Sequence, residues 1–444
     1  MADRPNIVLC MTDDQGWGDT GYNGHSILKT PNLDRMASDG LKLNRFYAAA
    51  PVCSPTRGSC LTGRHPYRYG IFFANSGHLP AEEFCIADVL KQRGYVTGHF
   101  GKWHVGTLTR DIQDGRRGGR PEHDEHYAPP WERFFDECFS TEVAVPTWDP
   151  MVKPSRPAKY WTGPGEWATE NLEGDDSRII MDRAEPFMER AVEAGRPFFA
   201  VVWFHAPHEP VRAGDSYRAM YPDQEEEKQH YYGCVTAMDE QVGRLRSMLE
   251  RLGVAENTLM CFNSDNGPAG EGGGCAQHPG GRQWGESGPF RGRKGSLYEG
   301  GVRVPGIVTW PERIAAGRAT DVACTSCDYF ATILDSLGYE LPEEKRRPYD
   351  GMSLLPLFDG KLDRRSRPIG FQSQKQRALT DDRYKLYQKA EDAPLELYDL
   401  IDDPRETTDI AEAHPEIVKT MAAQLDEWQA SCAASLEGCD YATA

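Results

Sequence analysis

Short apolar runs alternate with amphipathic stretches through the first three quarters of the chain. Ile7-Val8-Leu9-Cys10-Met11, Phe198-Phe199-Ala200-Val201-Val202-Trp203-Phe204 and Leu259-Met260-Cys261-Phe262 carry no charge and read as strands buried on both faces. Tyr95-Val96-Thr97-Gly98-His99-Phe100 is a further extended stretch. Between them the pattern predicts helices over Pro31–Asp39, Ile86–Arg93, Arg178–Ala194, Glu225–Leu252 and Asp328–Leu337. Strand–helix alternation of this kind predicts an α/β fold, a mostly parallel sheet sandwiched by helices. After about Tyr349 the pattern changes to short alternating runs over Ile369–Ser373, Arg377–Thr380, Tyr384–Gln388 and Glu396–Asp399, followed by a helical stretch over His414–Cys432. The chain therefore divides into a larger domain over 1–348 and a smaller C-terminal α+β domain, antiparallel sheet plus helix, over 349–444. It shows no internal repeat.

Polar residues with chemical potential sit where the apolar runs stop. Asp13-Asp14-Gln15-Gly16 follows the first run, and Asp265-Asn266-Gly267 follows Leu259–Ser264. Open α/β sheets place their ligands at the carboxyl ends of buried strands, so the two ends can deliver four oxygen donors to one hard cation such as Ca²⁺ or Mg²⁺. Gly101-Lys102-Trp103-His104 and His205-Ala206-Pro207-His208-Glu209 occupy the same kind of position, bringing a cation and side chains that titrate near neutrality. Taken singly, an Asp pair is a common surface feature, Asp-Asn-Gly is an ordinary turn and a lone Cys is a small buried hydrophobe. Their ordered coincidence is what carries information. Cys53-Ser54-Pro55-Thr56-Arg57-Gly58-Ser59-Cys60-Leu61-Thr62-Gly63-Arg64 completes the set. The segment looks helical from Thr56, which puts Cys53 at a helix N-terminus where the dipole favours anions.

The Cys53 run, with Pro two residues on and Arg four residues on, resembles the signature of the type I sulfatases, members of the alkaline phosphatase superfamily. The other motifs follow in that family's order, ending with Phe290-Arg291-Gly292-Arg293-Lys294-Gly295. The resemblance implies an alkaline-phosphatase-like fold, sulfate ester hydrolysis, and oxidation of Cys53 to formylglycine by a maturation enzyme. The aldehyde hydrate is a geminal diol: one hydroxyl attacks sulfur and the other later expels sulfate, so no stable sulfate ester is left on the enzyme. It further implies a divalent ion, usually calcium with magnesium as the alternative, on Asp13, Asp14, Asp265 and Asn266 beside modified Cys53. In the implied cycle Asp265 takes the proton of the attacking hydroxyl, and Arg57, Lys102 and Lys294 balance charge and bind sulfate. His208 protonates the leaving alcohol, with His205 as the other histidine of that segment, and His104 drives release of sulfate. The alternatives are a phosphodiesterase or phosphonate monoester hydrolase of the same superfamily, and a binding protein in which Cys53 stays a thiol.

Composition narrows the rest. The 444 residues carry 50 basic and 68 acidic side chains, a net charge of −18, which disfavours nonspecific nucleic-acid binding and requires positive charge to be concentrated where an anionic substrate binds. No apolar run approaches a membrane span. Met1-Ala2-Asp3-Arg4-Pro5 opens without a signal-peptide core, so the expectation is either a cytoplasmic protein or, as the resemblance implies, a periplasmic or secreted one whose leader is absent from this chain. The twelve cysteines do not form a disulfide framework; Cys432 and Cys439 are placed for a local bridge, and Cys324-Thr325-Ser326-Cys327 reads as structural. Arg110, Arg116, Arg117 and Arg120 lie in a glycine-rich, flexible-looking stretch, and Trp148 and Trp161–Trp167 form an aromatic-rich one. Both suit a sulfated carbohydrate as substrate, against a plain reading as surface loop and packing patch. His278 and Arg282, between the second metal segment and Lys294, are further candidate substrate contacts. No sequence signal sets an oligomeric state.

Overall fold

The computed structural model describes residues 4–152, 154, 156–270 and 284–441. In chain order the strands of its larger part are β1 (Asn6–Thr12), β2 (Leu41–Leu43), β3 (Phe46–Tyr47), β4 (Val96–Lys102), β5 (Glu137–Thr141), β6 (Trp161–Gly163), β7 (Glu166–Trp167), β8 (Phe198–Trp203), β9 (Thr258–Ser264), β10 (Arg303–Val304), β11 (Gly306–Thr309), β12 (Arg318–Thr320) and β13 (Cys324–Thr325). Ten of them form one sheet in the order β12-β2-β11-β9-β1-β8-β4-β5-β6-β7. Its centre, β9-β1-β8-β4-β5, is parallel throughout, and antiparallel partners flank it.

Every residue of β1, β8 and β9 is buried, which is why those runs lack polar positions: each face of the sheet meets its own core. Along β1, Ile7, Leu9 and Met11 face one core, with Leu61 of helix Cys53–Thr62, Val89 of helix Ile86–Gln92 and Phe330 of helix Asp328–Ser336. Val8 and Cys10 face the other, with Leu33 of helix Pro31–Asp39, Ile180 of helix Asp176–Glu193 and Val242 of helix Glu226–Arg251. A fully buried aliphatic or aromatic side chain stabilises by roughly 1.5–3 kcal/mol, so the two cores hold the strand ends in fixed positions. The expected α/β sandwich is the observed one.

Two helix starts differ from the pattern-based reading by more than one residue. The helix expected from Arg178 begins at Asp176, because the Asp175 carboxylate accepts from the Arg178 N–H at 2.8 Å and caps it. The helix expected from Thr56 begins at Cys53; Pro55 falls in its first turn, where no intrahelical N–H bond is lost.

Beyond these lies a four-stranded antiparallel sheet, β14 (Ile369–Ser373), β15 (Gln376–Thr380), β16 (Tyr384–Gln388) and β17 (Leu395–Asp399), in sequential order. Leu379, Leu386 and Leu397 pack on Met421 and Leu425 of helix Pro415–Leu436. Its other face packs Phe371, Tyr387 and Tyr398 against Tyr47, Leu297 and Val302 of the larger part. Cys432 and Cys439 are both free thiols, the first buried and the second exposed, so the local bridge is not formed; Cys324 and Cys327 are free and buried. No helix among the described residues is long and apolar enough to cross a membrane.

Candidate active site

The five parallel central strands end on one edge of the sheet, and each delivers a polar residue there. Asp13 and Asp14 follow β1, Asp265 and Asn266 follow β9, His205 and His208 follow β8, Lys102 closes β4 with His104 two residues on, and Glu142 follows β5. Backbone bonds lock the ends together: the Asp265 N–H donates to Thr12 O at 3.0 Å and the Asp13 N–H to Ala206 O at 3.0 Å. Gly101, with φ 107°, is needed because a Cβ there would stand 1.9 Å from Trp203 O. Cys53 is the first residue of its helix, and Arg57, four residues on, shares its face. A carboxylate oxygen of Asp13, one of Asp265 and the Cys53 sulfur lie within 4.8 Å of one another.

Three carboxylates and three cations interlock in this buried space. Lys102 Nζ is 2.6 Å from Asp13 Oδ2, Arg57 Nη2 is 2.6 Å from Asp265 Oδ2 and 3.4 Å from Asp13 Oδ2, and Lys294 Nζ contacts Asp14 Oδ1. Burial alone would raise Asp13, but Lys102, His208, Arg57 and Lys294 together hold it well below the usual carboxylate range. Asp14 is lowered against burial chiefly by Lys294 and His208. Asp265 is instead pushed up to about 7 by burial and by Asp13, with Arg57 opposing. Cys53 is raised by burial, so its thiol is a poor nucleophile as it stands.

The donor set fits a hard cation. Asp13 Oδ1 and Asn266 Oδ1 are buried with no hydrogen-bond partner among the described residues, an expensive state for polar oxygens. The Asn266 amide nitrogen is engaged elsewhere, donating to Asp14 Oδ1 at 2.7 Å and to Gly267 O at 2.8 Å, which leaves the carbonyl oxygen as the outward group. Oxygen donors from Asp13, Asp14, Asp265 and Asn266 suit Ca²⁺ or Mg²⁺.

The histidines separate by their partners. His205 is fully buried between Asp176 (Nδ1–Oδ2 2.7 Å) and Thr141 (Nε2–Oγ1 2.7 Å), so both ring nitrogens are consumed in the core and it is not the proton carrier. His208 Nδ1 bonds the Glu209 carbonyl at 2.7 Å; since a carbonyl only accepts, the neutral ring carries its proton on Nδ1 and presents Nε2, 3.8 Å from Asp14 Oδ2. Burial lowers it to about 4. His104 Nε2 bonds Asn75 Oδ1 at 2.9 Å and its Nδ1 is buried without a partner among the described residues. Burial, then Lys102, hold His104 well below its ordinary value.

A pocket of about 120 Å³ opens over this cluster, lined by Cys53, Lys102, His104, His208 and Lys294. Larger hollows of about 680 and 720 Å³ lie at the seam with the C-terminal sheet and along that sheet's edge; neither contains any of the residues just described. Arg116 lines the small pocket, but the other arginines of its stretch do not: Arg117 is buried and donates to Gly77 O at 2.7 Å, and Arg110 stacks over Tyr127 at 4.3 Å. Trp161 is in the core with its N–H on Asp114 Oδ2 at 3.0 Å, and Trp148 packs on Gly214, so the tryptophans are packing residues. His278 and Arg282 lie outside the described residues. Asn75 and Glu142 were missed by sequence reasoning. Glu142 follows a strand as Asp13 does and had the same signal; Asn75 had none.

A family model described as Sulfatase matches residues 5–339. The chain belongs to the sulfatase family. This sulfatase is a sulfuric ester hydrolase, and a second model, described as N-sulphoglucosamine sulphohydrolase, C-terminal, matches residues 285–431. N-acetylgalactosamine-6-sulfatase of Canis lupus familiaris is 35% identical over 391 residues, covering 82% of this chain and 68% of that protein. Steryl-sulfatase of Homo sapiens is 30% identical over 431 residues, covering 82% and 71%. The crystal structure of Ps i-CgsB superposes with a TM-score of 0.80 at 25% identity, covering 97% of this chain and 93% of that one. Sulfatases work with a metal ion and a formylglycine, and the buried acidic cluster is where this chain can hold the ion.

Proposed function

We propose that this sulfatase removes sulfate esters from a sulfated carbohydrate, using a formylglycine made from Cys53 and a calcium or magnesium ion on Asp13, Asp14, Asp265 and Asn266. The observation that carries the substrate class is the pocket mouth. Arg116, Arg156, Asn75 and Glu209 line it, with Phe73 as its aromatic member, a surface for hydroxyl and anionic groups and too polar for a sterol, which needs a broad apolar wall. The N-acetylgalactosamine-6-sulfatase likeness supports the same reading.

A hydrate at position 53 supplies two hydroxyls, one to attack sulfur and one to expel sulfate, while the cation supplies Lewis acidity. The chain's own groups do the rest. Asp265, close to position 53, takes the attacking hydroxyl's proton, and Arg57 holds that carboxylate in place. Lys102 and Lys294 bind sulfate oxygens. His208 offers Nε2 to the leaving alcohol; the negative charge of the bound ester raises its proton affinity at the moment it must act. His104 offers Nδ1 to the remaining hydroxyl.

The test is mass analysis of the Cys53 peptide after co-expression with a formylglycine-generating enzyme, together with rates on N-acetylgalactosamine 6-sulfate, an aryl sulfate, a steryl sulfate and an aryl phosphodiester. The aldehyde or its hydrate is expected, sugar sulfate should be preferred to steryl sulfate, and chelation should abolish turnover until calcium or magnesium is returned. Full activity with Cys53 entirely as thiol would overturn the nucleophile, and preference for the phosphodiester would return the alternative chemistry.

A further inference from the structure

The stretch carrying Arg116 is a built platform. Glu142, 1% exposed, points its carboxylate into the turn and accepts three successive backbone N–H groups, from Arg116 at 3.2 Å, Arg117 at 2.9 Å and Gly118 at 2.8 Å. The turn closes on itself through the Asp114 N–H to Gly118 O at 3.0 Å, and the Gly115 N–H ties it to Pro157 O at 2.7 Å. Glycine is required at 115, where φ is +51° and a Cβ would lie 2.7 Å from Glu142 Cδ, and at 118, where it would lie 2.7 Å from Glu142 Oε2. The Arg117 side chain anchors one side of the turn to Gly77 O. Arg116 alone of this turn's side chains lines the pocket beside Cys53, Lys102 and His104, and among the described residues its guanidinium makes no hydrogen bond or ion pair.

The other pocket cations are differently placed. Lys102 and Lys294 are held by Asp13 and Asp14 and belong to the sulfate being cleaved, and Arg156, which also lines the pocket, is itself engaged. A guanidinium without a protein partner, carried on a turn whose backbone is fixed, matches a planar or tetrahedral oxyanion with paired N–H donors. From this geometry, and resting on the carbohydrate reading above, we propose that the pocket reads a second anionic group on the substrate, a carboxylate or a further sulfate of the sugar, and that Arg116 binds it. Glu142 is a positioning residue: it fixes the turn that aims Arg116.

Binding is measured by calorimetry on the Cys53→Ala protein, which holds ligand without turnover. The probes are N-acetylgalactosamine 6-sulfate, N-acetylgalactosamine 4,6-disulfate and a 6-sulfated disaccharide bearing a uronate. At least one dianionic probe should bind about tenfold tighter than the monosulfate, the effect of one charge-assisted hydrogen-bonded pair. Adding Arg116→Ala should bring that ratio to about one, Arg116→Lys should keep part of it, and Glu142→Gln should lower it without removing Arg116. An advantage confined to the disulfate identifies a second sulfate, and one confined to the uronate identifies a carboxylate. Equal weakening of all three probes by Arg116→Ala, or no advantage for either dianion, overturns the proposal. Failure of the matured enzyme to hydrolyse any sugar sulfate would overturn the carbohydrate reading instead, since the binding ratio is read without catalysis.

Discussion

Asp14 and His104 adopt left-handed backbone conformations, with φ of 66° and 58°, at a cost of about 1–3 kcal/mol each. That conformation takes the chain sharply off the strand ends and leaves both side chains in the site. His104 then has one hydrogen-bonded support, Asn75 Oδ1. Because that oxygen can only accept, it fixes the proton on Nε2 and keeps Nδ1 as the basic nitrogen. Asn75→Ala should therefore lower kcat on an aryl sulfate about tenfold, part of the ~10²–10⁴-fold worth of a placed acid–base group, with KM little changed. Asn75→Asp, which keeps the acceptor, should restore most of it. Steady-state rates on variants of matched thermal stability decide, and an unchanged kcat in Asn75→Ala would remove Asn75 from the proposed mechanism. Asp13, Asp14, Lys102 and Asp265 were legible because each ends an apolar run. Asn75 was not, because its role arises from a contact across 29 positions with no local pattern to announce it.

At the level of elements, the parallel core was readable from its uncharged runs, and the edges of β14 and β16 fall where alternation placed them. What alternation does not show is what a sheet leans on. Gln376 at the start of β15 brackets the turn after Lys294, its amide nitrogen donating to Gly295 O at 2.8 Å and its oxygen accepting from the Leu297 N–H at 3.1 Å. Two residues further on, Glu299 meets Lys385 of β16 at 3.1 Å in a fully buried pair, with Glu406 at 3.1 Å on the same lysine. The C-terminal sheet thus buttresses the Lys294 segment from behind. Gln376→Ala should leave both backbone groups short of a partner, costing about 1–3 kcal/mol, and should also lower kcat/KM several-fold through Lys294, whereas an exposed substitution in the turn before β15, Lys375→Ala, should do neither. Denaturant melts and rates on the two variants check this. Full activity in Gln376→Ala would mean that Gln376 plays no part in placing Lys294. These contacts join residues about 80 apart, which is why the strands could be read while their function could not.

Over the whole molecule, a chain of net charge −18 holds buried groups whose contributions to stability change with pH in opposite directions. At the seam between the two parts, Asp350 accepts from Arg68 Nε at 2.7 Å and Nη2 at 2.9 Å, from the His65 N–H at 2.6 Å and from Trp428 Nε1 at 2.9 Å. Arg68 overcomes burial and holds Asp350 well below the usual carboxylate range, so its stabilisation is present above about pH 4 and is lost as pH falls further. Beside it, burial lowers His65 from 6.5 to about 4, opposed by Asp350 and assisted by Arg68. A neutral buried His65 stabilises fully above about 6.5, and that contribution, roughly 3 kcal/mol for such a displacement, drains away as pH falls from about 6.5 to 4, because the unfolded chain takes up the proton first. Asp19, Asp114 and Asp175 work in the opposite direction: burial pushes each up to about 7, so their contribution is full below about pH 4 and is lost progressively as pH rises from there to 7. Over the shared window from about pH 4 to 6.5 three such carboxylates outweigh one histidine, so the summed contribution of these four groups should fall as pH rises. His65→Gln, which keeps a neutral polar side chain at the seam, removes the one opposing contribution and should make the fall in stability between pH 4 and 6.5 steeper. Denaturant midpoints of both proteins across pH 4 to 8 read this directly, and an unchanged slope between pH 4 and 6.5 in His65→Gln would remove the seam histidine from the pH dependence.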